Sequence, residues 1–145
     1  MMATPSDPTG RLRLLATVPM LSALSKEQLA KLVDLGEDRT FHAGETIVRQ
    51  GEKGIGLYVV LSGSADVRRS GQKVSSLTAG QFFGEAALLV DEPRTADVFA
   101  TTEVQCFVLN RWDFWGAVGV DPEVNRALYE ETVQRLRSFQ SQLIE

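Results

Sequence analysis

The sequence predicts a mainly-β α+β domain: an antiparallel β-roll of the jelly-roll type, flanked by helices at its N- and C-terminal ends. Three observations carry this prediction. Between Asp38 and Asn110, short runs rich in Val, Phe, Tyr and Thr alternate with glycines at 44, 51, 54, 56, 63, 71, 80 and 84. Strands broken by turn residues at such close spacing close into a barrel or roll. Residues 10–37 and 111–145 instead place apolar residues at helical spacing. The length of 145 residues, 43% of them apolar, suits one domain with its own core.

Residues 1–9 (MMATPSDPT) carry two prolines and no apolar period, and read as a disordered tail. The N-terminal helices follow over 10–37. Ser25 suits an N-cap, and Gln28, three residues on, completes a capping box. Leu29, Leu32 and Val33 then form an apolar face, and Gly36 ends the helix. The strands expected across 38–110 are Phe41, Ile47–Val48, Leu57–Leu61, Ala65–Val67, Val74–Leu77, Val98–Ala100 and Val104–Leu109. Leu57–Leu61 is apolar throughout, which predicts a central strand.

Arg111–Gly119 reads as a short helix whose Trp112 and Trp115 act as packing anchors. Asp121-Pro122-Glu123 then supplies an N-cap, a proline at the first helical position and an acid in the first turn. In the helix that follows, Leu128, Tyr129, Thr132, Val133, Leu136, Phe139 and Leu143 cover a sector of about 140°. That is wider than one contact requires. One edge can pack on the roll while the other meets a partner. Tyr129, Val133, Leu136, Gln140 and Leu143 also fall at the 4-3-4-3 spacing of a short coiled-coil seam.

Charge and composition exclude several functions. The net charge is -4, whereas a general nucleic-acid binder needs a basic face to displace counterions. One cysteine, Cys106, and one histidine, His42, cannot build a disulfide framework, a Cys/His zinc centre or a cupin-like metal site. No run of 18 apolar residues offers a membrane-spanning helix. Arg11 and Arg13 before Leu14–Leu24 resemble a signal peptide, but Pro19 interrupts the apolar stretch and no small-residue cleavage site follows. The lone cysteine suits a reducing cytoplasm.

The stretch that carries chemistry runs from Gly80 to Ala96. A short helical run, Glu85–Val90, follows Gly84 and precedes Arg94. Leading helix amides favour an anion. Gly84 lets the backbone approach a ligand closely, and Arg94 adds a planar, permanent cation. Glu85 would repel an anion alone; it makes sense if the ligand also presents a hydroxyl. Together these residues suit a phosphate and a hydroxyl held close, as in a ribose cyclic phosphate. Taken singly, each has a plainer role: a turn glycine, a helix-dipole acid, a surface ion pair. Gly51-Glu52-Lys53-Gly54-Ile55-Gly56 invites a dinucleotide-loop reading, but no strand-turn-helix frames it, so a barrel turn is expected.

Phe83-Gly84-Glu85-Ala86-Ala87 and Pro93-Arg94-Thr95-Ala96 resemble the phosphate-binding cassette, here 82–96, of the cyclic nucleotide-binding domain family. Phe41-His42-Ala43-Gly44-Glu45-Thr46-Ile47, Gln50-Gly51-Glu52, Leu57–Gly63 and Pro19–Leu24 resemble further family segments in the same order. The resemblance covers about residues 12–145 and makes 10–145 one such domain. It implies that the Gly84 and Ala86 amides and Arg94 meet the cyclic phosphate and that Glu85 accepts from the ribose 2′-hydroxyl. It also implies that the Thr95 hydroxyl can reach phosphate or a guanine. An ungapped comparison with the catabolite activator type of the family puts Phe139 and Gln140 where two hydroxyl side chains meet adenine, with Arg135 one turn earlier. Phe139 departs from that pattern and would instead stack on the base.

The expected function is that of a cytoplasmic sensor of a cyclic nucleotide, cAMP ahead of cGMP, and not an enzyme. Neither cofactor nor metal is expected. Ligand would order the Gly84–Arg94 loop, and the helices of 111–145 would serve as lid and seam. The partners would be the nucleotide and either a second copy, joined through the C-terminal helix, or another protein. Direct contact with nucleic acid or membrane is not expected. Two alternatives stand beside this reading: an interaction protein that keeps the fold without the ligand, and a truncated transcriptional regulator of the catabolite activator type.

Overall fold

The computed structural model describes residues 7–88 and 93–119, together with residues 122, 126, 129, 130 and 133. Helices α1 (Pro8–Ala16) and α2 (Lys26–Leu35) lead into strands β1 (Glu37–Phe41), β2 (Thr46–Val48), β3 (Gly56–Ser62), β4 (Ser64–Arg69) and β5 (Gln72–Thr78). Next come β6 (Phe82–Phe83), a 3₁₀ turn over Glu85–Leu88, β7 (Asp97–Ala100), β8 (Val104–Asn110) and helix α3 (Arg111–Val118). The strands form two four-stranded antiparallel sheets, ordered β1-β8-β3-β6 and β2-β7-β4-β5. This is the β-roll flanked by helices that the sequence predicts.

Helix α1 begins inside the stretch expected to be a tail. Asp7 caps it by accepting from the Gly10 amide at 2.7 Å, and Pro8 sits in its first turn. The capping box of α2 forms as expected: the Gln28 amide donates to Ser25 Oγ at 3.1 Å, and the Ser25 amide donates to Gln28 Oε1 at 2.9 Å. Gly36 does end α2, but in an extended conformation (φ -72°) rather than a left-handed one. A side chain there would collide with the Phe107 ring, so close approach is what requires glycine. Strand β1 follows at once, from Glu37, one residue inside the span expected to be helical.

Strand β3 lies inside its sheet, between β8 and β6, and is buried on both faces. Leu57, Val59 and Leu61 point to one side and join Phe107 and Leu109 of β8 against Leu15, Leu29, Leu32, Phe114 and Val118 of the helices. Tyr58 and Val60 point to the other and join Cys106 and Val108 inside the roll, with Ile47, Ala65, Val98 and Ala100 of the facing sheet. With both faces covered, the strand has no polar alternation. Burial pushes the Cys106 thiol up to about 12, so it serves as a small apolar residue.

Trp112 corrects an expectation: it is 67% exposed rather than a packing anchor. Phe114 and Val118 face the core, and two residues turn a helix by about 200°, which carries Trp112 to the opposite side. Of the expected last helix, Pro122, Arg126, Tyr129, Glu130 and Val133 are helical, and Tyr129 is 59% exposed. Arg135, Phe139 and Gln140 lie outside the described residues. No helix of the described residues is long and apolar enough to cross a membrane.

Candidate functional site

The site forms where the end of β3, the loop before it and the turn after β6 meet. Strand β6 brings Phe83 opposite Tyr58, and their rings stack with centroids 4.8 Å apart at 11°. Gly84 follows at φ +80°, a left-handed conformation that suits glycine. The chain then tightens into the 3₁₀ turn of Glu85–Leu88, where the Ala87 amide donates to the Gly84 carbonyl at 3.1 Å. A turn of this kind leaves its leading amides outside its own hydrogen bonds. Glu85 and Ala86 are half-buried there, and Ala87 and Leu88 are buried.

Arg94 is held by its backbone on both sides. The Gly51 amide donates to its carbonyl at 2.8 Å, and its own amide donates to the Glu52 carbonyl at 2.7 Å. This isolated antiparallel bridge, with Lys53 opposite Pro93, ties the β2–β3 loop to the segment after the turn. The guanidinium lies over the Tyr58 ring, 5.6 Å from its centroid, and Nη2 donates to the Gly56 carbonyl at 3.2 Å. Three glycines surround it. A side chain at Gly84 would collide with Nη1, one at Gly54 would come within 2.7 Å of Nε, and Gly56 supplies the acceptor.

The electrostatics are informative. No carboxylate of the described residues lies within ion-pair distance of Arg94. Burial pulls its pKa below the ordinary arginine value, and Tyr58 opposes that pull. Arginine still keeps its proton at physiological pH. The result is a partly desolvated cation facing a turn of backbone amides, an arrangement that receives an anion.

The structure therefore brings Gly84, Glu85, Ala86 and Arg94 into one place, with Thr95 beside them and exposed to solvent. It also adds residues that the sequence pattern did not single out. Tyr58 is 4% exposed and forms the floor under the cation. Gly54 and Gly56, taken as barrel-turn residues, line the guanidinium. Trp115 of α3 donates from Nε1 to the Leu88 carbonyl at 2.7 Å, tying the helical layer to the last residue of the 3₁₀ turn. The spacing of Gly54 and Gly56 before an apolar strand was the available signal for the first pair. The Trp115 contact spans 27 residues and left no local trace.

Comparison with known proteins agrees with this geometry. Residues 38–119 match the family described as "Cyclic nucleotide-binding domain". The chain is 39% identical over 119 residues to a cAMP-dependent protein kinase regulatory subunit of Aspergillus niger, covering 80% of this chain and 29% of that relative. It thus spans less than a third of the length of such relatives. Among solved structures, the N-terminal domain of a transcriptional regulator from Streptomyces coelicolor A3(2) superposes with a TM-score of 0.73 at 31% identity, covering 89% of this chain and 93% of that one. The regulatory domain of Toxoplasma gondii PKA with cAMP superposes with a TM-score of 0.69 at 30% identity, covering 88% of this chain and 50% of that one.

Proposed function

Because this chain belongs to the cyclic nucleotide-binding domain family, we propose that it is a sensor module for cAMP or cGMP, with cAMP preferred, and that it works by binding and not by catalysis. One observation carries the reading. Arg94 is a half-buried cation with no carboxylate of the described residues in reach, and it is aimed at a glycine-led turn. Such a group is costly to bury unless a ligand supplies the missing charge.

In this reading the Gly84 and Ala86 amides and the Arg94 guanidinium hold the cyclic phosphate. Glu85 accepts from the ribose 2′-hydroxyl, and Thr95 reaches phosphate or base. Arg135, Phe139 and Gln140 of the last helix close over the base. The exposed Tyr129 and the half-buried Val133 then serve as a seam for a second copy or another protein. A ligand can drive that closure only through a difference in its affinity for the open and closed states. A cytoplasmic location fits the lone, buried Cys106. The likeness to the Streptomyces regulator domain favours one alternative output, control of transcription through further chain. The acidic balance of this module gives it no part in touching DNA.

Titration calorimetry tests the reading, with cAMP, cGMP and 2′-deoxy-cAMP on the wild type and on Glu85→Gln. We expect saturable binding with cAMP the tighter ligand, and a greater loss for cAMP than for the deoxy analogue in Glu85→Gln. Equal losses would remove the ribose role of Glu85. Absence of binding by either nucleotide would overturn the reading.

A further inference from the structure

We propose that Gly54, outside the turn of the phosphate site, is a positioning residue whose missing side chain sets where the Arg94 guanidinium sits. The role toward nucleotide rests on the reading above; the contact with Arg94 does not. A side-chain carbon at Gly54 would come within 2.7 Å of Arg94 Nε, 2.8 Å of Cζ and 2.9 Å of Ala87 Cβ. Atoms do not pack that closely, so any larger residue must push the guanidinium or the 3₁₀ turn aside. Both lie on the route to the anion. Meanwhile the Gly56 carbonyl accepts from Nη2, and the guanidinium lies over the Tyr58 ring. The cation is thus placed by one acceptor, one aromatic face and two gaps, at Gly84 and Gly54. The gaps are as necessary as the contacts.

Gly54 is also the informative position among the three glycines. Gly84 has φ +80°, so substitution there strains the backbone whatever else it does. A side chain at Gly56 would collide with the Leu109 carbonyl of β8, which tests strand packing. Gly54 is absent from the positive-φ glycines, so alanine fits its backbone and only the neighbouring atoms object.

The experiment has two arms. In the first, urea unfolding of the ligand-free protein compares Gly54→Ala in the wild-type and Arg94→Ala backgrounds. The substitution should lower stability more in the wild type, because without the guanidinium only the Ala87 contact is left. In the second, affinities are measured for the two phosphorothioate diastereomers of cAMP. Their ratio reports which exocyclic oxygen the cation faces. Gly54→Ala should weaken binding by ~tenfold or more and shrink that ratio by at least ~threefold, since a displaced cation loses its geometry before its charge. Adding Ala87→Gly relieves the third contact and keeps both arms measurable if the single variant folds poorly.

Equal stability losses in the two backgrounds, or weakened binding with an unchanged ratio, would overturn the proposal and leave Gly54 a loop-packing residue. A wild type that binds neither diastereomer would instead overturn the nucleotide reading. The unfolding arm would then still decide whether Gly54 holds Arg94.

Discussion

Strands β3 and β8 bury two faces built from different side chains. The outward face meets the helices with Leu57, Val59, Leu61, Phe107 and Leu109, and the helices answer with leucines and Phe114. The inward face carries Tyr58, Val60, Val104, Cys106 and Val108, with the Tyr58–Phe83 stack at the end near Arg94. The facing sheet answers the inward face with Ile, Val and Ala, whereas the helices answer the outward face with Leu and Phe. The difference teaches how the site is assembled. The inner layer supplies the floor of the cation, through Tyr58. The outer layer supplies the anchor of the 3₁₀ turn, through Trp115.

Adjacent truncations on β8 separate the two layers. Phe107 and Val108 are neighbours on β8 that point to opposite layers. Phe107→Ala should cost about 3–5 kcal/mol, because it removes an aromatic from a fully buried position. Val108→Ala should cost about 2 kcal/mol, two methyl-sized groups plus a small cavity. Urea unfolding of both variants measures this, and equal losses would show that the layers do not differ in what they hold.

A smaller effect sharpens the link between the layers. Trp115→Phe keeps most of the packing and removes one donor, leaving the Leu88 carbonyl to solvent or to no one. The expected stability loss is about 1 kcal/mol. Affinity for cAMP should fall several-fold as well, since the turn bearing Ala86 loses its anchor. A loss of stability with unchanged affinity would confine Trp115 to the core.

Much of this was legible in the sequence, for physical reasons that differ by element. The Ser25 cap and its Gln28 partner are local chemistry and read directly. Leu57–Leu61 is apolar on both faces, so its central place follows from composition. Strand β1 gave no such signal. Glu37, Asp38, Arg39 and Thr40 are exposed and polar, and they form a strand because β8 offers them a ladder. Strand β5, expected over Val74–Leu77, runs Gln72–Thr78; it sits at a sheet edge with Lys73, Val74, Ser75 and Ser76 exposed, so its polar ends gave no signal. Strand β6, two residues long, is too short to carry a period. At the site, Gly84, Glu85, Ala86 and Arg94 lie within one segment and could be read together. Tyr58 could not, because its role depends on where β3 passes beneath Arg94; Gly54 could be read as a turn glycine, but its contact with Arg94 depends on where the loop before β3 lies. Trp112 and Trp115 looked alike in sequence, and only the turn of α3 separates the exposed one from the anchor.

Arg94 is proposed to serve the ligand and not the fold. Thermal unfolding of the wild type and Arg94→Ala, each with and without saturating cAMP, tests it most directly. Arg94 is a partly desolvated cation without a carboxylate of the described residues in reach, so its removal should leave the ligand-free melting temperature unchanged or slightly raised. The wild type should gain stability from cAMP by mass action. The variant should show no such gain, consistent with a loss of about 2–5 kcal/mol in binding when a buried charge partner is removed. A variant that melts far lower than the wild type without ligand would show that Arg94 holds the fold, and one that still gains as much from cAMP would show that Arg94 does not hold the ligand.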